Sequence, residues 1–239
     1  MTATEHDLVS DAKLDRRHLR LSQDLAAGIA HELRNPVFAI ASAARLLRFR
    51  VADDPVVERN IGRILREAER LNGFVSALLD YGRPAPIRLA PADPDDVWDD
   101  VFQAERGALE SKALIVRHRA AAPRVVCEID AQQLAQAYTQ MLANAIDAAP
   151  EGSDLILNAT VLANGDWRCE LRNEGPPVSQ EVLPHVFDLL VSTKPGHAGV
   201  GLALAQRIVL EHGGTIVLHS DATQGTIVTL MLPSSRGGG

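Results

Sequence analysis

The chain has 239 residues, 46% apolar, 23% charged and only 4% aromatic, which excludes disordered and collagen-like classes and argues against stacking on nucleic-acid bases. No run nears the roughly 18 apolar residues of a membrane span, no secretory signal opens the chain, and two distant cysteines, Cys127 and Cys169, suit a reducing cytoplasm. Lys and Arg outnumber Asp and Glu 13 to 9 over residues 13–83 and are outnumbered 11 to 19 over 84–239; with three acids in 1–12 the net charge is −7, a basic front module joined to an acidic back one.

In chain order, residues 13–50 place Leu21, Leu25, Ile29, Leu33, Val37, Ile40, Ala44 and Leu47 at steps of three or four, one face of a helix. Asp53-Asp54-Pro55 supplies a turn. Residues 56–81 then carry Val57, Ile61, Ile64, Ala68, Leu71, Val75 and Leu78 in a heptad seam. Two helices bury little by themselves, so a hairpin that dimerises into a four-helix bundle is expected. Gly82-Arg83-Pro84-Ala85-Pro86 breaks the pattern.

Beyond the break, a helix over 94–112 precedes strands over 113–119 and 125–130. Asp130 is placed to cap a helix over 131–149, with Gln133 as capping-box partner. Strands over 155–162 and 166–173 flank the Asn164-Gly165 turn signal. A Gly/Pro-rich stretch at 174–199 leads to a helix over 200–211 closed by Gly213-Gly214, and strands over 215–220 and 226–233 end the module. The expected fold class is α+β: a helical hairpin, then an α/β sandwich of helices on one mixed sheet. The expected division is a tail over 1–12, a front module over 13–83, a linker over 84–91, a back module over 92–233 and a loose tail over 234–239.

Within the first helix, His31 is two residues from both Ile29 and Leu33, about 200° round the helix from the apolar face, so it points to solvent. Asn35 shares that outward side one turn later. Pro36 offers no N–H to the Glu32 carbonyl, and a bend is expected there. His31-Glu32 opens the zinc motif H-E-x-x-H, but Asn35 occupies the position of the second histidine, which argues against metal binding. A solvent-facing histidine with an adjacent carboxylate is the pairing that nucleophilic catalysis needs.

The segment Ala27-Gly-Ile-Ala-His31-Glu-Leu-Arg-Asn-Pro36 resembles the phosphoacceptor box of two-component sensor histidine kinases, whose dimerisation domain is a helical hairpin. The resemblance implies that His31 is phosphorylated, that Glu32 acts as its acid/base neighbour, and that Asn35 orients water during dephosphorylation of a partner. Five further segments resemble the same family in the expected order. Gln140-Met-Leu-Ala-Asn144-Ala-Ile-Asp147 is similar to its N box, which implies Mg²⁺ at Asn144 and nucleotide contact at Asp147. Asn173-Glu-Gly175-Pro-Pro177 is similar to the first glycine box, with Asn173 where the family carries the adenine-reading aspartate and Pro177 where it carries a second glycine. Phe187, Thr193 and Lys194 match the phenylalanine box and the start of the lid. Gly199-Val-Gly201-Leu202 matches the second glycine box and Gly225-Thr226 the third. A helix beginning at 200–201 also offers free N–H groups and a positive dipole end to phosphate, whatever the family.

The resemblance spans residues 15–233 and implies a Bergerat-type ATP-binding fold. It implies a cytoplasmic homodimer that autophosphorylates His31 from Mg²⁺-ATP and passes the phosphoryl group to an aspartate on a response-regulator receiver domain, with sensing supplied by a separate protein or domain. A plain ATPase of the same superfamily is disfavoured, since Gln140 stands where a hydrolase carries a water-activating glutamate. A degenerate kinase acting as a dimeric regulator-binding scaffold is the alternative that Asn173 and Pro177 motivate.

Overall fold

The computed structural model describes residues 26–48, 54–82, 85–192 and 199–235. Leu21, Leu25, the tail over 1–12 and the end of the chain over 236–239 lie outside the described residues. The chain divides between Ala85 and Pro86 into two compact units.

In the front unit, α1 is helical throughout 26–48, with Pro36 inside it, and α2 runs Pro55–Gly82. Asp54 starts α2: its Oδ1 accepts from Val56 N–H (2.8 Å) and Val57 N–H (3.3 Å), and Pro55 follows where no intrahelical N–H is needed. The helices meet through Val37, Ala41 and Ala68, with Leu71 packed against them, and Ala30, Ala44, Ile61, Val75 and Leu78 are buried as well. This corrects part of the expected buried face. Ile29 (42% exposed), Ile40 (52%) and Leu47 (53%) on α1 and Ile64 (42%) on α2 lie outside the hairpin core. The hairpin packs on its small residues, which let the helices approach closely, and leaves a neighbouring stripe of larger aliphatics on the surface.

The back unit is an α+β sandwich. A five-stranded sheet runs in the order β2 (Ile115–Arg119), β4 (Asp154–Val161), β5 (Trp167–Asn173), β7 (Gly225–Leu232), β6 (Thr215–Asp221). Only the β2–β4 pair is parallel. Helices α3 (Val97–Ala104), α5 (Ala131–Ala148) and α6 (Gly201–Glu211) supply the other layer, and α4 (Arg106–Ser111) follows α3. Alternation along β5 buries Trp167, Cys169, Leu171 and Asn173 on one face. Beneath the helices, Trp98 and Tyr138 stack with centroids 4.0 Å apart, and Trp167 lies 6.4 Å beyond Tyr138.

Three expectations are corrected here. The helix expected over 94–112 is two helices, because the chain leaves helical geometry at Glu105 (φ −91°, ψ 6°). The strand expected over 125–130 shortens to β3 (Cys127–Ile129), which pairs with β1 (Ala90–Ala92) in a separate two-stranded sheet, so the end of the expected linker is a strand. Residues 234–235 are not loose: Ser234 N–H donates to Asp166 Oδ1 (3.2 Å) and Ser235 N–H to the Val126 carbonyl (2.8 Å).

Candidate functional site

On α1, His31, Glu32, Asn35 and Pro36 are all exposed while Ala30 and Val37 are buried. Measured from the buried Ala30 and Val37, the helical period puts His31 about 100° round α1, on its flank, where the side chain is exposed to solvent.

In the back unit the residues that the motifs single out converge at one end of the sandwich. Gln140, Asn144 and Asp147 occupy positions i, i+4 and i+7 of α5, hence one side of the helix; the first two are half-buried and Asp147 is exposed. Both ends of α5 are fixed by side chains from elsewhere. At its start, Asp130 Oδ1 accepts from Gln133 N–H (3.1 Å), Asp130 Oδ2 accepts from Arg88 N–H (2.9 Å), and Asp130 N–H donates to His212 Nε2 (3.0 Å). Burial alone would raise the Asp130 carboxyl, but N–H groups of Arg88, Gln133 and Gln132 and the nearby His212 outweigh it and hold it below the ordinary 3.8. At the other end, Lys112 Nζ donates to the carbonyls of Ile146 (2.8 Å), Asp147 (2.9 Å) and Ala149 (3.1 Å), which an α-helix leaves without intrahelical partners.

The last residue of β5, Asn173, is 3% exposed and pairs in register with Thr226 at the start of β7. Gly175 follows, folded so closely over the end of α5 that a Cβ there would press on the Ala148 carbonyl oxygen and lie 2.8 Å from Asn173 Nδ2. Thr226 is buried, its Oγ1 2.8 Å from Ser220 Oγ, which also accepts from Val178 N–H (2.9 Å). The start of α6 faces α5: a Cβ on Gly201 would come within 2.6 Å of Gln140 Oε1. Among the described residues Val200, the residue before α6, makes no side-chain cap bond. Gly199 takes φ +65° and its carbonyl accepts from Leu190 N–H (2.9 Å), closing the segment between them. Phe187 is half-buried just after the 3₁₀ turn Leu183–His185, and Leu202 is half-buried in the first turn of α6. Thr193 and Lys194 lie outside the described residues.

The donor set suits a hard cation shared with a polyphosphate. Asn144 offers a neutral amide oxygen and Asp147 a carboxylate on the same side of α5. Among the described residues no three His, Cys, Asp or Glu side chains cluster to hold an ion by themselves, so a cation would take much of its coordination from phosphate oxygens. Thiol chemistry is not part of this site: burial, with Asp93, Asp166 and Asp95 nearby, pushes Cys127 up to about 12, and burial pushes Cys169 up as well. Lys112, His212 and Ser220 were not visible as site residues in the sequence. A lysine in a turn and a serine on a strand carry no motif, and only the folded pairing gives them roles.

A helical hairpin with an exposed His-Glu pair, followed by a sandwich whose asparagines and glycines converge beside a helix N-terminus, defines the catalytic core of a histidine kinase. The chain belongs to that family. Residues 21–86 match the His Kinase A (phospho-acceptor) domain, and residues 129–236 match the histidine kinase-, DNA gyrase B-, and HSP90-like ATPase domain. Among curated proteins it is similar to the sensor histidine kinase ZraS of Klebsiella oxytoca, 32% identical over 211 residues that make up 87% of this chain and 45% of that one. The chain thus spans about half the length of that relative. Among solved structures, full-length ShkA in complex with AMPPNP has the same fold (TM-score 0.70, 22% identity, 89% of this chain and 46% of that one). So does the histidine kinase ThkA in complex with the response regulator TrrA (TM-score 0.69, 21% identity, 98% of this chain and 68% of that one). Among the described residues no helix is long and apolar enough to cross a membrane.

Proposed function

We propose that this chain is the catalytic core of a homodimeric histidine kinase that transfers the γ-phosphoryl group of ATP to His31 and from there to an aspartate of a response-regulator receiver domain. The observation that carries this reading is the exposed His31-Glu32 pair on a hairpin joined in one chain to a matching ATPase-type unit. The lone pair of one ring nitrogen forms the N–P bond while the bond from the γ-phosphorus to the β–γ bridging oxygen breaks and ADP departs. The proton on the other ring nitrogen passes to Glu32, which leaves the phosphohistidine neutral at its ring. Asn173 sits at the base end of the nucleotide, Gly175 lets the backbone approach it, and the N–H groups of α6 beginning at Gly201 face its phosphates. Asn144 and Asp147 would hold Mg²⁺, which neutralises the triphosphate charge when bound. Thr193 and Lys194 are carried over by resemblance as phosphate contacts, and Phe187 and Leu202 as further nucleotide contacts.

Asn35, exposed one turn from His31, is the group placed to orient water for hydrolysis of the regulator's aspartyl phosphate. The surface stripe of Ile29, Ile40 and Leu47 with Ile64 supports dimerisation of the hairpin, since an apolar stripe on a helical pair calls for a partner.

The experiment is incubation with γ-labelled ATP and Mg²⁺, followed by separation under neutral and acid conditions. Acid-labile label on the parent chain and its loss in His31→Gln is the expected result; label that persists in His31→Gln refutes the nucleophile. A second variant, Asn144→Asp, is expected to lose labelling while still folded.

A further inference from the structure

We propose that Asn173 makes the nucleotide site accept 6-oxopurine nucleotides, those of guanine and hypoxanthine, as well as adenine nucleotides. This rests on the reading of the cleft at the ends of β5 and α5 as the nucleotide site, with Asn173 against the base.

Asn173 is 3% exposed, and its Nδ2 has no hydrogen-bond partner among the described residues. A donor buried in that way gains from any ligand that brings it an acceptor. Its neighbours leave the amide free to choose its orientation. Thr226, paired with it in register, has its hydroxyl engaged with Ser220, which in turn accepts from Val178 N–H. On the other side Gly175 has no side chain, and Nδ2 occupies space only 2.8 Å from where a Cβ would be. Anything larger than glycine would pin the amide.

The chemistry of the purine edge completes the argument. Adenine presents a donor, its 6-amino group, beside an acceptor, N1. Guanine and hypoxanthine present the reverse, an acceptor O6 beside a donor N1–H. A carboxylate at this position has acceptors only, so it meets one donor of either edge and opposes the neighbouring acceptor, N1 of adenine or O6 of a 6-oxopurine. A carboxamide has one acceptor and one donor end, and a half-turn about its Cβ–Cγ bond exchanges them. Oδ1 to the 6-amino group with Nδ2 to N1 suits adenine, and Nδ2 to O6 with Oδ1 to N1–H suits the 6-oxopurines. The amide thus satisfies both points of either purine edge, where an acid satisfies only one.

The test is competition of ADP, IDP and GDP against a fluorescent ADP analogue on the full chain with Mg²⁺. IDP is included because it carries O6 without the 2-amino group. The expected result is an IDP dissociation constant within about fivefold of that for ADP in the parent chain, below the roughly 5- to 150-fold that a bidentate mismatch would cost. In Asn173→Asp, which opposes an acceptor on either purine edge, ADP and IDP are both expected to bind at least about fivefold more weakly than in the parent chain. If ADP competes but IDP is weaker by more than that fivefold margin, the proposal is overturned and the nucleotide reading stands. If ADP itself does not compete, both fall. The parent-chain comparison decides the question even should Asn173→Asp fail to fold.

Discussion

Gly175 has little room at the end of α5. A methyl group there would meet the Ala148 carbonyl and the Asn173 amide together, and the first is backbone that cannot retreat without moving the last turn of α5. Overpacking of this kind costs about 1–3 kcal/mol. Gly175→Ala is therefore expected to lower the melting temperature of the back unit and to weaken Mg²⁺-ADP binding by roughly tenfold or more on that scale, measured by calorimetric titration. Unchanged affinity would mean that the base does not lie against this glycine. On the front unit, Asn35→Ala is expected to leave autophosphorylation largely intact and to slow loss of phosphate from a phosphorylated regulator; equal decay rates would reject the water-orienting role. Residues such as Asn144, Asn173, Gly175 and Gly201 were legible in the sequence because their chemistry demands particular residue types in a particular order. Lys112 was not, since its three carbonyl acceptors lie 34, 35 and 37 residues further along the chain and only folding brings them to it.

At the scale of elements, α5 carries most of the burden, and its two ends make separate predictions. Lys112 is a cation on three carbonyls at the negative end of the helix. Hydrogen bonds from a charged donor are worth about 1.5–3 kcal/mol, and leaving the carbonyls unmet adds to the loss. Lys112→Ala is thus expected to destabilise the back unit by about 2 kcal/mol, or roughly 4–8 °C for a unit of this size. A shift within error would show that water replaces the ammonium at no cost. At the N-terminal end the prediction concerns pH. The carboxyl of Asp130 is held below its unfolded value, so its contribution is full above that value and fades as pH falls through the folded one. The stability difference between the parent and Asp130→Asn, which keeps a capping oxygen but puts an NH₂ group where Arg88 N–H now donates, is expected to be full near neutrality and to shrink below about pH 4. A gap that stays constant down to about pH 3 would remove Asp130 as the source. Elements were also where sequence reading reached its limit. Periodicity located the apolar positions of α1, but a linear pattern superposes two stripes, and nothing in it says that Ala30, Ala41 and Ala44 take the inner one while Ile40 and Leu47 take the outer. The break at Glu105 was hidden because glutamate is a good helix former.

For the whole molecule, the distribution of probes between the two units allows dimerisation to be separated from folding. Both tryptophans, Trp98 and Trp167, are fully buried in the back unit, and the front unit has none. Tryptophan fluorescence therefore follows the sandwich alone, while helical circular dichroism also follows the hairpin. If the outer stripe of α1 is the seam between two copies, a charge placed on it must be buried unpaired in the dimer, which costs several kcal/mol at each of two symmetric positions. The double variant Ile40→Glu, Leu47→Glu is expected to reduce the light-scattering mass from about twice 25.8 kDa to 25.8 kDa. It should also lower the melting transition of the helical signal and make it independent of protein concentration. The fluorescence transition should not move, because neither substitution touches the sandwich core. Dimeric mass retained in the double variant would place the seam elsewhere on the hairpin. A fluorescence transition that fell together with the helical one would show instead that the two units unfold as a single cooperative body.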